Sequence, residues 1–375
     1  MSNTLFRAIL LAASVLPVAA HASLSTKASE QDVKFKATNS QKDSTANGQA
    51  TTVQNFTMAT TEIQKFDKNL GVLTGATVNL KSTYTQSTNV TVQEVPGNNS
   101  GNGTFIASGT GSSAIKMVIP TSLEGGAASQ SNLADSCGGK KPKAACSDGA
   151  TTKTVNDNVD LGATNLNAYV GAGKFNVDHI AVSNSASLTA NNFNGVATTE
   201  SQISWEGLLN AQYSYLMHAA SSFSLDSNAN ELTLDFGDLF IGDVFGVKDF
   251  GISNRAGDRV GLKLTGIAAS GDTAMFSSGL GLFGNLDQGG TKSYQASFLG
   301  TTAGAYGATY QLTLADVGLA TYASDSLFDN YGLTLKLKAN LLAREVPAND
   351  VPEPGSLLLL GLGAVLAGVA RRRKA

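Results

Sequence analysis

Apolar and polar residues alternate in short runs along most of this chain, and no long stretch of its interior carries a helical period. "TTVQNFTMAT" and "GVLTGATVNLKSTYTQ" switch character at every residue, as strands with one buried face do. In the second run Val72, Thr74, Ala76, Val78 and Leu80 share one side. Farther on, Leu232, Leu234 and Phe236 alternate, as do Val260, Leu262 and Leu264. "KSYQASFLG", "GAYGATYQLTLADVG" and "NYGLTLKLKANLL" follow. Strands repeating every ~10–15 residues with Asn, Asp and Gly turns between them predict an antiparallel sandwich. The chain therefore reads as mainly β, with two antiparallel β-sandwich-like modules at 51–222 and 223–342. A polar lead-in at 23–50 is expected to be flexible, with one edge strand over 33–37. The Gly/Ser-rich stretch 98–126, around the apolar "AIKMVIP", predicts strands joined by long loops, and 343–350 predicts a tether.

The two ends break this pattern. At the start, Arg7 precedes an apolar run from Ala8 to Ala19, too short to span a bilayer. Ala20-His21-Ala22 then offers the small-x-small site of signal peptidase, so residues 1–22 read as a signal peptide cut before Ser23. At the other end, prolines on both sides of Glu353 hold the chain extended. Ser356 can cap a helix starting at Leu357, and 356–370 contains no charge. At 1.5 Å per residue that segment covers ~22 Å, short of the ~30 Å hydrocarbon core. Local thinning and snorkelling by Arg371, Arg372, Arg373 and Lys374 close the gap. This cationic cluster pins its end in the cytoplasm as a stop-transfer signal. A buried helix of a soluble domain fits less well, because Gly361, Gly363 and Gly368 are costly there and suit membrane packing. A single C-terminal transmembrane helix is therefore expected over 356–370, within a tail at 351–375.

Pro352-Glu353-Pro354, the short apolar helix and the Arg-rich end together resemble the PEP-CTERM sorting signal of Gram-negative bacteria. The resemblance implies recognition by exosortase, a membrane-embedded cysteine protease, which cuts near Pro352, Glu353 and Pro354. It also implies transient residence in the inner membrane, then delivery to the cell surface or extracellular matrix. Two looser resemblances lie upstream. "IQKFDKNLGVLTGATVNL", a Phe66-Asp67 turn leading into a strand, resembles the start of the choice-of-anchor E module. "LDFGDLFIGDVFGVKDFGISNRAGDRVGLKL" resembles bacterial immunoglobulin-like surface modules. Both imply sandwich folds on exported proteins.

Composition narrows the chemistry further. Charged residues are 15% of the 375 and the formal net charge is −3, so hydroxyls and amides solvate this surface. Without a basic face before residue 371, nucleic acid is not expected as a partner. Cys137 and Cys146 are the only cysteines, and in an oxidising compartment they predict a disulfide worth ~2–3 kcal/mol. No histidine lies between them, which disfavours a zinc site. No nucleophile elbow or zincin motif occurs, and Gly279–Gly284 matches a dinucleotide fingerprint without the helix that motif needs. Asp226, Asp235, Asp238 and Asp243 stand near turns where Asp bonds its own backbone, against an irregular calcium site. His179 and His218 read as polar residues at sheet rims. Trp205 with Tyr213 and Tyr215 offers a sugar-binding platform or core packing. Glu200 and Glu206 would need a shared cleft to act on glycosides. The expectation is a non-enzymatic protein without cofactor or metal; its alternative is a carbohydrate-binding module for the cell's own exopolysaccharide.

Overall fold

The computed structural model describes residues 25–28, 32–44, 51–94, 105–139, 145–191 and 195–344. The expected signal peptide with Ala20, Ala22 and Ser23 lies outside them, as does the tail at 351–375 with its helix at 356–370. Among the described residues the regular structure is strand with short 3-10 turns, and no helix is long and apolar enough to cross a membrane.

Nine strands build the first unit: β1 (Ser25–Ala28), β2 (Val33–Asp43), β3 (Thr51–Gln64), β4 (Val72–Glu94), β5 (Phe105–Ile119), β6 (Leu123–Gly139), β7 (Ala145–Asp160), β8 (Lys174–Asn191) and β9 (Gly195–Leu216). One sheet runs β1-β9-β4-β7, with β2 also on the β9 edge; the other runs β3-β8-β5-β6. Every pairing is antiparallel. The 23 residues of β4 extend for ~75 Å, several times the usual strand. Of the side the alternation marked, Ala76, Val78 and Leu80 are buried in this sandwich, with Tyr84 beyond them; Thr74 is only half-buried and Val72 joins the second core, because a bulge at Leu73/Gly75 turns Leu73 inward instead.

Two expectations are corrected here. The edge strand expected over 33–37 runs on to Asp43, pairing along β9 from Leu209 to Thr199, so this part of the lead-in is held in the sheet. Phe35 explains why: its ring is buried, stacked on His179 at 3.9 Å and edge-on to Trp205 at 5.4 Å. In the Gly/Ser-rich stretch the expected strands form, but β5 and β6 are joined by a short turn at 120–122 and not by a long loop. Glycine is required on β5 by close approach of the facing sheet. A Cβ on Gly109 would lie 2.0 Å from Thr199 Oγ1, and one on Gly111 would lie 2.5 Å from Thr88 Oγ1.

The second unit contains β10 (Ser221–Ser222), β11 (Glu231–Phe240), β12 (Lys248–Asn254), β13 (Gly261–Gly271), β14 (Phe276–Ser277), β15 (Phe283–Leu286), β16 (Thr291–Phe298), β17 (Gly304–Val317) and β18 (Tyr331–Leu342). Its sheets run β10-β12-β16-β14 and β11-β18-β17-β13-β15. Because β10 pairs with β12, the chain passes from one unit to the next between Leu216 and Ser221. The purely antiparallel expectation fails at one edge, where β11 lies parallel to β18. The chain crosses to the other sheet and back between these two strands, so it can return in the same direction. Leu262, Leu264, Leu312, Leu314, Leu333, Leu335 and Leu337 fill the core between the sheets.

The units meet around residues 68–73. Val72 packs into the second core and Ala323 into the first. The Leu73 carbonyl accepts from the Ala323 amide at 3.0 Å, and the Leu73 amide donates to Ser326 Oγ at 3.1 Å.

Candidate functional site

Several polar residues singled out from sequence are structural. Trp205 is wholly buried, and its Nε1 donates to Ser82 Oγ at 2.9 Å. Tyr213 is buried as well, its hydroxyl donating to the Gln64 carbonyl. No sugar can stack on either ring, so they form core and not a platform. His179 does not sit at a rim: it is fully buried, with Nε2 2.9 Å from Thr61 Oγ1 and no partner on Nδ1. Burial pushes its pKa down to about 4, with the charge of Asp178 opposing. The ring is thus held neutral in an aromatic stack with Phe35 and Trp205.

Beyond Trp205 the core of the first unit turns polar. Tyr84 and Ser113 hydroxyls are bonded to each other, and Ser113 Oγ donates to Gln86 Oε1 at 2.7 Å. Gln86 Nε2 donates to Ser201 Oγ at 3.2 Å, and Ser201 donates to Asn184 Oδ1 at 2.9 Å. Asn184 Nδ2 continues to Asn39 Oδ1 at 2.8 Å. These groups interlink β2, β4, β5, β8 and β9. Sequence reasoning missed the chain, because its bonded partners lie up to 145 residues apart. At the far end Cys137 is buried against Val90, Val92 and Ala107, and no described cysteine is a free thiol. Cys146 begins β7 with its backbone opposite Val90; its side chain lies outside the described residues.

His218 lies at the junction of the two units. Its Nε2 donates to the Lys68 carbonyl at 2.7 Å, its Nδ1 meets Asp316 Oδ2 at 2.8 Å, and its ring stacks on Phe328 at 3.9 Å. Asp316 is buried, and also accepts from the Ala219 and Phe328 amides and the Tyr331 hydroxyl. Burial, with the Asp316 carboxylate beside it, pushes the Tyr331 phenol well above its ordinary range. The partners are 98 residues apart, so no local signal marked this pair.

Carboxylates singled out from sequence are spread over the surface. Glu200 and Glu206 lie on β9, six positions apart, ~20 Å along a strand. Each is bridged to β2: Glu206 to Lys36 at 3.5 Å, Glu200 to Lys42 at 3.4 Å. Asp235 accepts from the Gly237 amide, Asp238 from Asn340, and Asp243 from Arg344 at 2.7 Å. Asp226 sits in a bend where its amide donates to Ser224 Oγ. Among the described residues no cluster of three His, Cys, Asp or Glu is arranged to hold a metal.

The remaining feature is where the described chain ends. β18 starts at the junction, with Tyr331 bonded to Asp316, and finishes at Leu342, whose carbonyl accepts from the Ile241 amide at 3.1 Å. The loop after β11 therefore flanks the exit toward the tail. Phe240, Ile241, Val244 and Val247 are all exposed there, Val244 completely. Five apolar residues around two glycines and an aspartate, "FIGDVFGV", were the sequence signal: turn composition bearing side chains that no core can absorb.

Comparison with known proteins places a function-bearing signal in the tail. Residues 350–374 match the PEP-CTERM protein-sorting motif, which contains Pro352, Glu353, Pro354, Arg371, Arg372, Arg373 and Lys374. This motif supports an exported, membrane-anchored precursor destined for the cell surface and recognised by exosortase. No curated protein matches the chain. Among solved structures, the ASH/PapD-like domain of human CEP192 is 14% identical, covering 30% of this chain and 82% of that one with a TM-score of 0.23. The Vibrio cholerae VesB protease is 15% identical over 36% of this chain and 37% of that one, TM-score 0.22. An infectious bursal disease virus structure, Gx strain, is 8% identical over 52% and 39%, TM-score 0.14.

Proposed function

We propose that this chain is a non-enzymatic surface or extracellular-matrix protein, exported by its signal peptide and processed by exosortase at Pro352-Glu353-Pro354. The sorting motif at 350–374 carries the reading. In it, Arg371 to Lys374 hold the cytoplasmic end, 356–370 resides briefly in the inner membrane, and the extended prolines present the backbone to the protease. The two sandwiches are read as a choice-of-anchor E-like and an immunoglobulin-like module, stapled in the oxidising compartment by Cys137–Cys146. A structural role is supported by the ~20 Å between Glu200 and Glu206, beyond the ~5–9.5 Å of paired glycosidase carboxylates. Deleting Pro352, Glu353 and Pro354 should leave the precursor in the inner membrane. Mass spectrometry of the mature C-terminus reads the outcome, and unchanged release and display would sink the sorting reading.

Binding to the cell's exopolysaccharide is the alternative. With Trp205 and Tyr213 buried, it would fall to the open groove on β12 and β16 lined by Asp249, Ser293 and Gln295. Retention of the purified polymer by the parent chain, lost in Asp249→Ala with Gln295→Ala, would support it.

A further inference from the structure

We propose that the loop at 240–247 docks on the outer surface of the lipid bilayer while the precursor is anchored, seating the second sandwich on the membrane. This rests on the anchored-precursor reading of the tail and adds a second membrane contact to it.

The loop is shaped to present apolar side chains outward. Asp243 N donates to the Phe240 carbonyl in a tight turn, and Gly242 takes a φ of +91° that favours glycine. Phe245 is tucked inward, its ring 5.4 Å from that of Phe298, so the segment is held from beneath. That leaves Phe240, Ile241, Val244 and Val247 on the outside. Arg344 bonds Asp243 at 2.7 Å, while the Lys248 ammonium, 5.9 Å from the Phe236 ring centroid, keeps its positive charge at the rim. An apolar tip flanked by a paired carboxylate and a cation suits shallow insertion at a headgroup boundary.

Position decides the occupant. β18 carries the chain 12 residues, ~35–40 Å, from the junction with the first sandwich to the loop. The loop therefore sits at the end of the second sandwich remote from the first. Arg344, bonded to this loop, is the last described residue, and the uncharged segment begins at Ser356. Even fully extended, that interval reaches ~40 Å, and three prolines lie within it. Once 356–370 is inserted, the apolar tip is confined near the bilayer, which no soluble partner is. After cleavage the tether is gone and one shallow apolar contact is too weak to hold the protein, so docking serves the precursor alone.

The test uses the full-length chain reconstituted in phosphatidylcholine–phosphatidylglycerol vesicles, with Val244→Trp as the probe and Val196→Trp, near the far end of β9, as the control. Both positions are exposed, so neither substitution enters a core. Replacing phosphatidylcholine by its brominated form should quench roughly half or more of the emission added at 244 and leave that added at 196 unchanged. Emission at 244 that is insensitive to bromine, in protein that resists carbonate extraction, overturns the proposal. A blue shift without bromine quenching also overturns it, in favour of a second copy covering the loop. Release of the parent chain by carbonate sinks the anchored-precursor reading instead, and this inference with it.

Discussion

The two sandwiches solve the same problem with different materials. The second packs a column of leucines, from Leu262 on β13 to Leu341 on β18, between ordinary sheets. The first packs its leucines and aromatics mainly on the junction side of the sandwich, with a small apolar cluster of Val90, Val92, Ala107, Leu188 and Ala197 at the far end. Between these its inward positions become Gln86, Thr88, Gly109, Gly111, Ser113, Thr199 and Ser201. Small side chains let the sheets approach closely, and hydrogen bonds through Gln86, Ser113 and Ser201 replace part of the missing apolar area, while the hydroxyls of Thr88 and Thr199 are buried without a partner. Leucine burial is non-directional and roughly proportional to area, so it tolerates small shifts in side-chain position. A buried hydroxyl chain does not, because each orphaned donor or acceptor costs ~1–3 kcal/mol. The long first sandwich therefore obtains length at the expense of tolerance.

The largest effect is expected where the difference is sharpest. Leu335→Ala removes a wholly buried side chain from the leucine column and should cost the second sandwich ~2–5 kcal/mol. Trp205, the only tryptophan, is buried in the first sandwich and reports on that unit. Hydrogen exchange on β17 and β18 reports on the other. Faster exchange there with the tryptophan midpoint held would show two separable cores. A matching fall in the tryptophan midpoint would show that Val72, Ala323 and the His218–Asp316 pair fuse them.

A smaller effect is expected from pH, in the first sandwich alone. The folded pKa of His179 is about 4 against an ordinary 6.5, so between those values the unfolded chain binds a proton that the folded chain does not. Stability from this group is level above ~pH 6.5 and falls as pH drops, at ~1.4 kcal/mol per unit and by up to ~3 kcal/mol near pH 4. Tryptophan-monitored denaturant midpoints would trace the curve. His179→Phe keeps the stack with Phe35 and should flatten the slope between pH 6.5 and 4; an unchanged slope assigns the pH dependence to other groups.

The same contrast explains what could be read from the sequence. Alternation at Leu232–Phe236, Val260–Leu264 and in the runs after residue 290 marked strands that now carry the second core. Alternation was legible at Ile115, Met117 and Ile119 but faded over 107–114 and 124–139, where glycine, serine and alanine predominate and apolar counting has little to detect. His179 was misplaced for another reason: it shares a face with Phe175, Val177 and Ala181, and a single polar side chain in such an alternation reads as a rim residue until Phe35 and Trp205 are seen packed against it. His218 and Asp316 were invisible because tertiary contact alone brings them together. The sorting tail was the opposite case, since a turn, an apolar helix and a basic end are contiguous and carry their physics locally.

The smallest effect tests whether the polar chain holds the first sandwich or merely fits inside it. Ser201 is its centre, accepting from Gln86 Nε2 and donating to Asn184 Oδ1. Ser201→Ala leaves an amide donor and a carbonyl oxygen short of a partner in a buried setting, at ~1–3 kcal/mol. Adding Gln86→Leu removes one of the two orphans, so the double variant should lose less than the sum of its singles. Thermal midpoints of the four proteins close this cycle. Additive losses would mean that Gln86 and Ser201 act independently and that water entering between the sheets already satisfies them. Coupling of ~0.5 kcal/mol or more would mean that the hydrogen-bonded chain is what lets a sandwich so poor in leucine extend to ~75 Å.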